Sequence, residues 1–280
     1  MMNRTKDHFI RYRKIIDSDM TLIMGANCKN GAVMVGDKKI TLGNGTDFSF
    51  AEKIFSPFSN VIVGSSGYSG MYRSFQARLK EGVKNLQEQN KDKEEVDWQE
   101  KLILLVEDVI RQMGIDFGQD IINNNFQVLL ASRIIDKPEL IVVGGLAIPQ
   151  PINTYDAIGH GDPYASVLLK TLWNKYKKDM TMELFAKIAC LSIKYVQDFK
   201  LDFSVGINSE DDDYPQVWYV PKIPDYALEQ WRKADSDVRK EQILIPYRIR
   251  ELDKTEVQFL MSNGDSNLKG IRAAIENVKL

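Results

Sequence analysis

The sequence predicts an α+β fold, a four-layer αββα sandwich in which two stacked, mainly antiparallel sheets lie between two layers of helices. The first observation is the element order along the chain, which is strands, two helices, strands, two helices, strands. The second is that the strands are almost continuously apolar, as expected where a sheet is covered on both faces. The third is size, since 280 residues with 44% hydrophobic content suffice for a large core.

The N-terminal segment, residues 1–20, is charged and lacks a clean period, so a short helix, a disordered tail and a propeptide all remain open. It lacks the apolar stretch followed by small residues that marks a secretion signal. A hairpin then begins at Thr21, turns at Asn30–Gly31 and ends at Asp37, because Asn-Gly supplies the positive φ of a tight turn. The hairpin brings a threonine near an aspartate, although an ordinary first hairpin of a sheet has the same pattern.

The remaining elements follow from periodicity, turn residues and caps. We expect four strands over residues 21–66, with a polar loop at 43–47 and a turn at 56–60, and a solvated charge run at 90–97. Helices are predicted over 68–90, 98–113, 164–178 and 181–199, the last with Thr181 as N-cap. Further strands are predicted over 126–131, 140–144, 201–207 and 216–220, with one ending in the segment 155–165.

The C-terminal 60 residues form a separate extension after the boundary Pro221–Pro224. Residues 226–240 have a helical pattern, and residues 242–249 resemble a strand interrupted by Pro246. We therefore divide the chain into a tail or propeptide (1–20), a main domain (21–220) and an extension (221–280) that caps the core or packs on a neighbouring subunit.

Composition excludes several functional classes. The net charge of -2 gives no reason to expect nucleic acid or a membrane surface as partner. Cys28 and Cys190 are too few for a disulfide framework or a multi-cysteine metal site, and the sequence indicates no metal or cofactor. With so few cysteines, a reducing, cytoplasmic setting is the simplest expectation. No apolar run reaches the roughly 18 residues that a membrane-spanning helix needs.

The sequence separations of four residues, Thr21, Asp37, Lys53 and Gly67, are informative. From Thr21, Asp37 follows after 16 residues, Lys53 after 32 and Gly67 after 46, each in a strand or turn context. In these positions the sequence resembles the proteasome β-subunit family, which are N-terminal-nucleophile (Ntn) hydrolases, and the related peptidase subunit of the bacterial two-component ATP-dependent protease. The run Thr41–Asn44 also resembles the bacterial branch, and the resemblance covers roughly residues 20–220.

The resemblance implies a threonine peptidase that acts through an acyl-enzyme. The hydroxyl of Thr21 needs a base, and a free α-amine with a pKa of roughly 7.7–8.0 lies on the same residue. The Lys53 ammonium would lower the pKa of that amine, and Asp37 would keep the lysine charged and oriented. The backbone N–H of Gly67 would stabilise the oxyanion, a contribution of about 10²–10³ in rate.

The sequence departs from the family pattern at three places. Family propeptides are usually cut after glycine, whereas Met20 precedes Thr21, so translation starting at Met20 is an alternative way to expose the threonine. His160 stands where the family has a supporting serine, and it is either a substitute for that serine or only a loop residue. Asp202 and Ser204 are two residues apart instead of three, and we expect Ser204 to be the one that supports the nucleophile.

By the same resemblance, a further group of residues would line the substrate groove. Its members are Ile40, Thr41, Ala51, Phe55, Ser65 and Ser69. None is acidic, which predicts a preference for apolar substrate side chains.

Three functions remain open from the sequence. The first is a peptidase in a homo- or hetero-oligomeric ring that takes peptides or unfolded proteins, with an ATPase as possible partner. The second is a non-catalytic structural subunit in which residues 1–20 are never removed. The third is a stand-alone amidase or transpeptidase, in which an amine replaces water in the attack on the acyl-enzyme.

Overall fold

A computed structural model describes residues 21–42, 47–91, 97–119, 122–123, 126–134, 137–202, 205–207, 214–262 and 266–276. The expectations for residues 1–20, for the polar loop at 43–46, for the charge run at 92–96 and for Ser204 lie outside these residues. The strands of the described part are, in chain order, β1 (Ile23–Cys28), β2 (Gly31–Gly36), β3 (Lys39–Leu42), β4 (Asp47–Phe50), β5 (Ile54–Phe58), β6 (Val61–Ser66), β7 (Gln127–Ile134), β8 (Lys137–Gly144), β9 (Pro149–Ile152), β10 (Tyr155–Ile158), β11 (Gln216–Pro221) and β12 (Arg250–Glu251).

Two five-stranded antiparallel sheets organise the molecule. The first sheet has the order β10-β1-β2-β11-β12, and the second has the order β5-β6-β7-β8-β9. The strands β3 and β4 form a separate hairpin. In the first sheet, Cys28 pairs with Gly31 across the predicted Asn30–Gly31 turn, so the first hairpin is confirmed.

Helices accompany the strands in the described part of the chain. They are α1 (Ser69–Asn90), α2 (Trp98–Phe117), α3 (Asp162–Tyr176), α4 (Met182–Asp198), α5 (Asp225–Lys233), α6 (Asp237–Leu244), α7 (Lys254–Leu260) and α8 (Ser266–Glu276). The side chain of Asp97 accepts two backbone N–H groups at the start of α2, and Thr181 accepts the N–H of Leu184 at the start of α4, as predicted. Within the described residues, no helix is long and apolar enough to cross a bilayer.

The alternation of side chains along β1 explains the four layers. Leu22 and Met24 join the core between the first sheet and α3 and α4, whereas Ile23 joins the core between the two sheets. A second outer core lies between the other sheet and α1 and α2, where Phe75 and Val106 are fully buried. Both faces of each sheet are therefore buried, which confirms the predicted αββα sandwich.

Glycines let the two sheets approach each other closely. A Cβ atom on Gly25 of β1 would lie 2.9 Å from methyl carbons of Leu129 and Leu140 in the second sheet. A Cβ atom on Gly64 of β6 would lie 2.9 Å from the sulfur of Met34 in the first sheet. Larger side chains at these positions would push the sheets apart.

Two strand predictions are wrong in detail. The described residues of the range 21–66 contain six strands instead of four, because β3 and β4 are an additional pair of strands that bond to each other. The predicted strand over 201–207 is absent from its described residues, 201–202 and 205–207. There, the carbonyl of Gly206 accepts the N–H groups of Lys38 and Lys39 instead of joining a sheet.

The extension differs most from its sequence-based prediction. The single helix expected over 226–240 is two helices, because the chain is extended at Ala234 and Ser236 caps a new helix. The strand expected over 242–249 is the end of α6 and the 3₁₀ turn Ile245–Tyr247. Pro246 lies in the first turn, where its missing N–H costs little, whereas a strand ladder would need that donor.

The extension packs on the main domain at two places. Strand β12 joins the edge of the first sheet beside β11. Side chains of α7 and α8, among them Val257 and Ile271, are buried in the core that contains α3 and α4. In the single chain these elements therefore cover the first sheet and its helix layer.

We predict that Gly25→Ala lowers the free energy of unfolding by about 1–3 kcal/mol, because the added methyl group overpacks the layer between the sheets. Gly144→Ala is the matched control in another strand, since no atom lies within 4 Å of a Cβ there. Urea unfolding of both variants measures the difference. Equal stabilities of the two variants would contradict the close approach of the sheets.

Candidate active site

A buried carboxylate lies at the end of the first hairpin. Asp37 follows β2 and is 0% exposed. Its Oδ1 accepts the backbone N–H of Leu22 at 2.8 Å and the Nζ of Lys53 at 2.8 Å, and its Oδ2 accepts the N–H of Gly206 at 3.2 Å. One carboxylate therefore contacts three segments of the chain: Leu22 next to Thr21, Lys53 just before β5, and Gly206 after α4.

The lysine of this pair is as enclosed as the carboxylate. Lys53 is 2% exposed, and its Nζ also donates to the carbonyl of Lys39. Burying two charges is costly unless they are paired and further hydrogen-bonded, and both conditions hold here. Burial raises the pKa of the Asp37 carboxyl, whereas the Lys53 ammonium and the N–H groups of Leu22 and Gly206 favour its ionised form.

Thr21 lies two residues before β1, against a glycine-containing turn. It is 5% exposed, and its carbonyl accepts the N–H of Gly161 at 3.4 Å. Gly159 has a φ of 100°, and a Cβ atom on it would lie 2.0 Å from the Thr21 carbonyl oxygen. The N–H of Gly159 donates to the side chain of Gln127 at 3.2 Å. The turn after β10 thus fits against the backbone of Thr21 only with glycine at position 159.

Gly67 occupies the turn between β6 and α1. Its φ of 141° is a conformation that residues with a side chain rarely adopt. The preceding Ser66 is buried and lies near the Gly159 turn, since a Cβ on Gly159 would be 3.3 Å from the Ser66 Cβ. The structure therefore brings the Gly67 turn and the Thr21 strand to the same end of the molecule.

His160 and Asp202 lie beside this turn. The side chain of His160 is 66% exposed, and its Nδ1 lies 3.9 Å from Oδ2 of Asp202, beyond hydrogen-bond distance. Asp202 itself is buried. His160 is thus close to the Thr21 region without being enclosed in it.

The residues assigned to the substrate groove differ in their surroundings. Ile40 and Ser65 are buried, and within the described residues the hydroxyl of Ser65 has no hydrogen-bond partner. Ala51 and Phe55 are half-buried. Of the remaining two, Thr41 lies in β3 and Ser69 begins α1, and the structure describes only their backbone.

Two neighbours of the ion pair were not identified from the sequence. Gly206 donates its N–H to Asp37, and Gln216 accepts the N–H groups of Lys53 and Ile54 at 2.6 and 3.0 Å. A glutamine at the start of an otherwise apolar strand is the signal that could have indicated Gln216, because a buried amide needs partners.

Cysteine and metal chemistry have little support in the described part of the chain. Burial raises the pKa of Cys190 to about 12 and that of Cys28 even further, with Glu183 adding to the rise at Cys28. Both side chains therefore remain thiols, which are poor nucleophiles. No group of three or more His, Cys, Asp or Glu side chains among the described residues is arranged to hold a metal ion.

Comparison with known proteins supports the fold. Solved structures of similar fold include the Anbu (Gly-1) mutant from Hyphomicrobium sp. strain MC1, with a TM-score of 0.59, 14% identity, and coverage of 92% of this chain and 95% of that chain. Anbu from the same organism aligns with a TM-score of 0.56, 14% identity, and coverage of 92% and 98%. At this identity the likeness concerns the fold. No curated protein matches the sequence.

The family model described as "Proteasome subunit" matches residues 20–204, which is well over half of the chain. The match begins one residue before Thr21 and includes Asp37, Lys53 and Gly67. The chain therefore belongs to the proteasome subunit family.

Proposed function

We propose that the chain is a threonine-type peptidase of the proteasome β-subunit kind, which cleaves peptide bonds through Thr21 when that residue is N-terminal. The observation that carries the proposal is the Asp37 carboxylate. It holds the N–H of Leu22, the neighbour of Thr21, and the Lys53 ammonium, each at 2.8 Å. A buried lysine paired with a carboxylate that bonds to the residue next to Thr21 is what an amine-activated hydroxyl requires.

In the proposed reaction the α-amine of Thr21 accepts the proton of its own hydroxyl as the oxygen attacks the substrate carbonyl. The Lys53 ammonium keeps the amine neutral by disfavouring a second positive charge nearby. The N–H of Gly67 donates to the oxyanion. The Thr21 ammonium then returns this proton to the leaving nitrogen as the tetrahedral intermediate collapses and expels the amine product. Water hydrolyses the ester on Thr21, which releases the acid product and restores the hydroxyl.

This chemistry requires removal of the residues that precede Thr21. An amide nitrogen cannot serve as the base, because its lone pair is delocalised into the peptide bond. We propose that residues 1–20 are cleaved off, or that synthesis begins at Met20 and the methionine is then removed. In both cases Thr21 gains a free amine with Asp37 and Lys53 already in place.

We further propose a ring of subunits in the cytoplasm that takes peptides or unfolded proteins, with an ATPase as possible partner. Membership of the proteasome subunit family supports an oligomer. Exposed apolar side chains on α2 also support it, since Leu104 is 55% and Ile115 is 84% exposed. Such side chains in the single chain are suited to contacts between subunits.

A second candidate function is a non-catalytic subunit of such an assembly. His160 favours it, because this side chain is largely exposed and does not hydrogen-bond to Asp202. Under that function Thr21 remains within the chain, and the Asp37–Lys53 pair only joins the two sheets.

We predict that the form beginning at Thr21 cleaves fluorogenic peptides, preferring apolar side chains, and that Thr21→Ala lowers kcat/KM at least about 10³-fold. Thr21→Ser is the matched control, because it keeps both the amine and a hydroxyl, and it retains part of the activity. Mass spectrometry of the purified protein establishes the N-terminus before the assay. Full activity of Thr21→Ala would contradict the proposal.

We predict that Lys53→Met lowers the free energy of unfolding by about 3–5 kcal/mol, because Asp37 loses its buried counter-charge. Asp37→Asn combined with Lys53→Met recovers part of that stability without recovering peptide cleavage. The control Lys233→Met removes a 2.6 Å ion pair with Glu229 that is largely exposed, and costs about 1 kcal/mol or less. Urea unfolding compares these three variants with the wild-type chain. Equal losses of unfolding free energy in Lys53→Met and Lys233→Met would contradict the burial of the Asp37–Lys53 pair.

A further inference from the structure

The side chain of Gln216 joins the two sheets beside the proposed active site. Gln216 begins β11, pairs with Gly36 next to Asp37, and is 2% exposed. Its amide oxygen accepts the backbone N–H groups of Lys53 at 2.6 Å and of Ile54 at 3.0 Å. Its amide nitrogen donates to the carbonyl of Ile54 at 3.2 Å and to Oε1 of Glu251 at 3.1 Å.

These four bonds use the whole hydrogen-bonding capacity of an amide, which has two acceptor sites and two donors. They also determine its orientation. If the oxygen and nitrogen were exchanged, the oxygen would face the Ile54 carbonyl and the Glu251 carboxylate, and the nitrogen would face two N–H donors. The Glu251 carboxylate therefore helps to keep the Gln216 oxygen directed at the N–H of Lys53.

Glu251 belongs to the C-terminal extension, where several hydrogen bonds fix the position of its backbone. It lies in β12, opposite Trp218 of β11, and the N–H of Leu252 donates to the carbonyl of Val217 at 2.8 Å. The adjacent Arg250 donates to both carboxylate oxygens of Glu256 at 2.6 and 2.7 Å. Glu256 in turn belongs to a capping box at the start of α7. The carboxylate of Glu251 thus reaches Gln216 from a segment that is held by pairing with β11 and by the contact between Arg250 and Glu256.

Both an acidic and a basic side chain, Glu52 and Lys38, influence Glu251. Burial raises the pKa of the Glu251 carboxyl, the Gln216 amide opposes the rise, Glu52 adds to it and Lys38 lowers it. Either protonation state of Glu251 leaves a carbonyl-type oxygen to accept the Gln216 N–H. The contact therefore serves to position the amide and does not need a charge on Glu251.

We propose that Gln216 is a positioning residue for Lys53 and that Glu251 orients it, so that residues 221–280 contribute to the active site. The inference rests on the proposed peptidase function and deepens it. The N–H of Lys53 lies just before β5, outside the hydrogen-bond ladder of the second sheet. It donates to the side chain of Gln216, which takes the role that a neighbouring strand has within the ladder. This bond places the lysine backbone, and the side chain then reaches Asp37.

The first test needs no catalysis and uses the full chain. Hydrogen exchange is measured at the amides of Lys53 and Ile54 in Gln216→Leu, Glu251→Leu and Glu251→Gln. We expect exchange at these amides to accelerate at least tenfold in Gln216→Leu and less in Glu251→Leu. Protection is retained in Glu251→Gln, which keeps an acceptor oxygen. Unchanged exchange in Gln216→Leu overturns the inference.

The control variant is Gln99→Leu, which removes another buried glutamine that donates to a glutamate, Glu139, at 3.1 Å. Gln99 lies on α2, outside the proposed site. We expect its exchange at Lys53 and Ile54 to match the wild-type chain. Acceleration equal to that in Gln216→Leu would show general loosening and would overturn the inference.

The second test uses peptide cleavage by the form that begins at Thr21. We expect Gln216→Leu to lower kcat about 10- to 100-fold with KM nearly unchanged, because the lysine is misplaced while substrate contacts remain. The rising limb of the pH profile moves to higher pH, toward the unperturbed amine range of about 7.7–8.0. A normal kcat and pH profile in Gln216→Leu overturns the inference. An inactive wild-type protein refutes the peptidase function instead, and the exchange measurement then decides the placement of Lys53 separately.

Discussion

The contact between Asp37 and Lys53 is the interaction on which the rest of the site depends. Its 2.8 Å distance and near-complete burial join the end of β2 in the first sheet to the start of β5 in the second. A buried ion pair is retained only where its surroundings satisfy both charges. Here the backbone of Leu22, Lys39 and Gly206 does so, which means that the pair depends on three separate segments of the folded chain.

The close approach of the two sheets makes this contact possible. Gly25 and Gly64 remove side-chain volume from the layer between them, and alternating residues such as Ile23 and Met34 fill what remains. Gly159 does the same for the turn that touches the Thr21 backbone. Packing and proposed chemistry are therefore linked, because the sheets must be near enough for a lysine of one to reach a carboxylate of the other.

Local patterns in the sequence predicted most of the main domain. The Asn30–Gly31 turn, the helical spacing of Phe75 and Leu79, and the Thr181 cap are short-range signals, and the structure contains all three elements. The extension was predicted less well, since Pro246 suits either an interrupted strand or the first turn of a 3₁₀ helix. Within the site, the resemblance to the proteasome β-subunit family indicates Asp37 and Lys53, whereas no local signal pairs Gln216 with its partners, which lie 163 and 162 residues away along the chain.

The most direct test of the proposed mechanism is the intact mass and N-terminal sequence of the protein purified from its natural source in its assembled state. The mechanism predicts a chain that begins at Thr21, with the free amine beside the Asp37–Lys53 pair that the proposed chemistry needs. A chain that begins at Met1 or Met2 in that state would contradict the mechanism. Thr21 would then carry an amide, and the enclosed ion pair would serve the structure of the subunit alone.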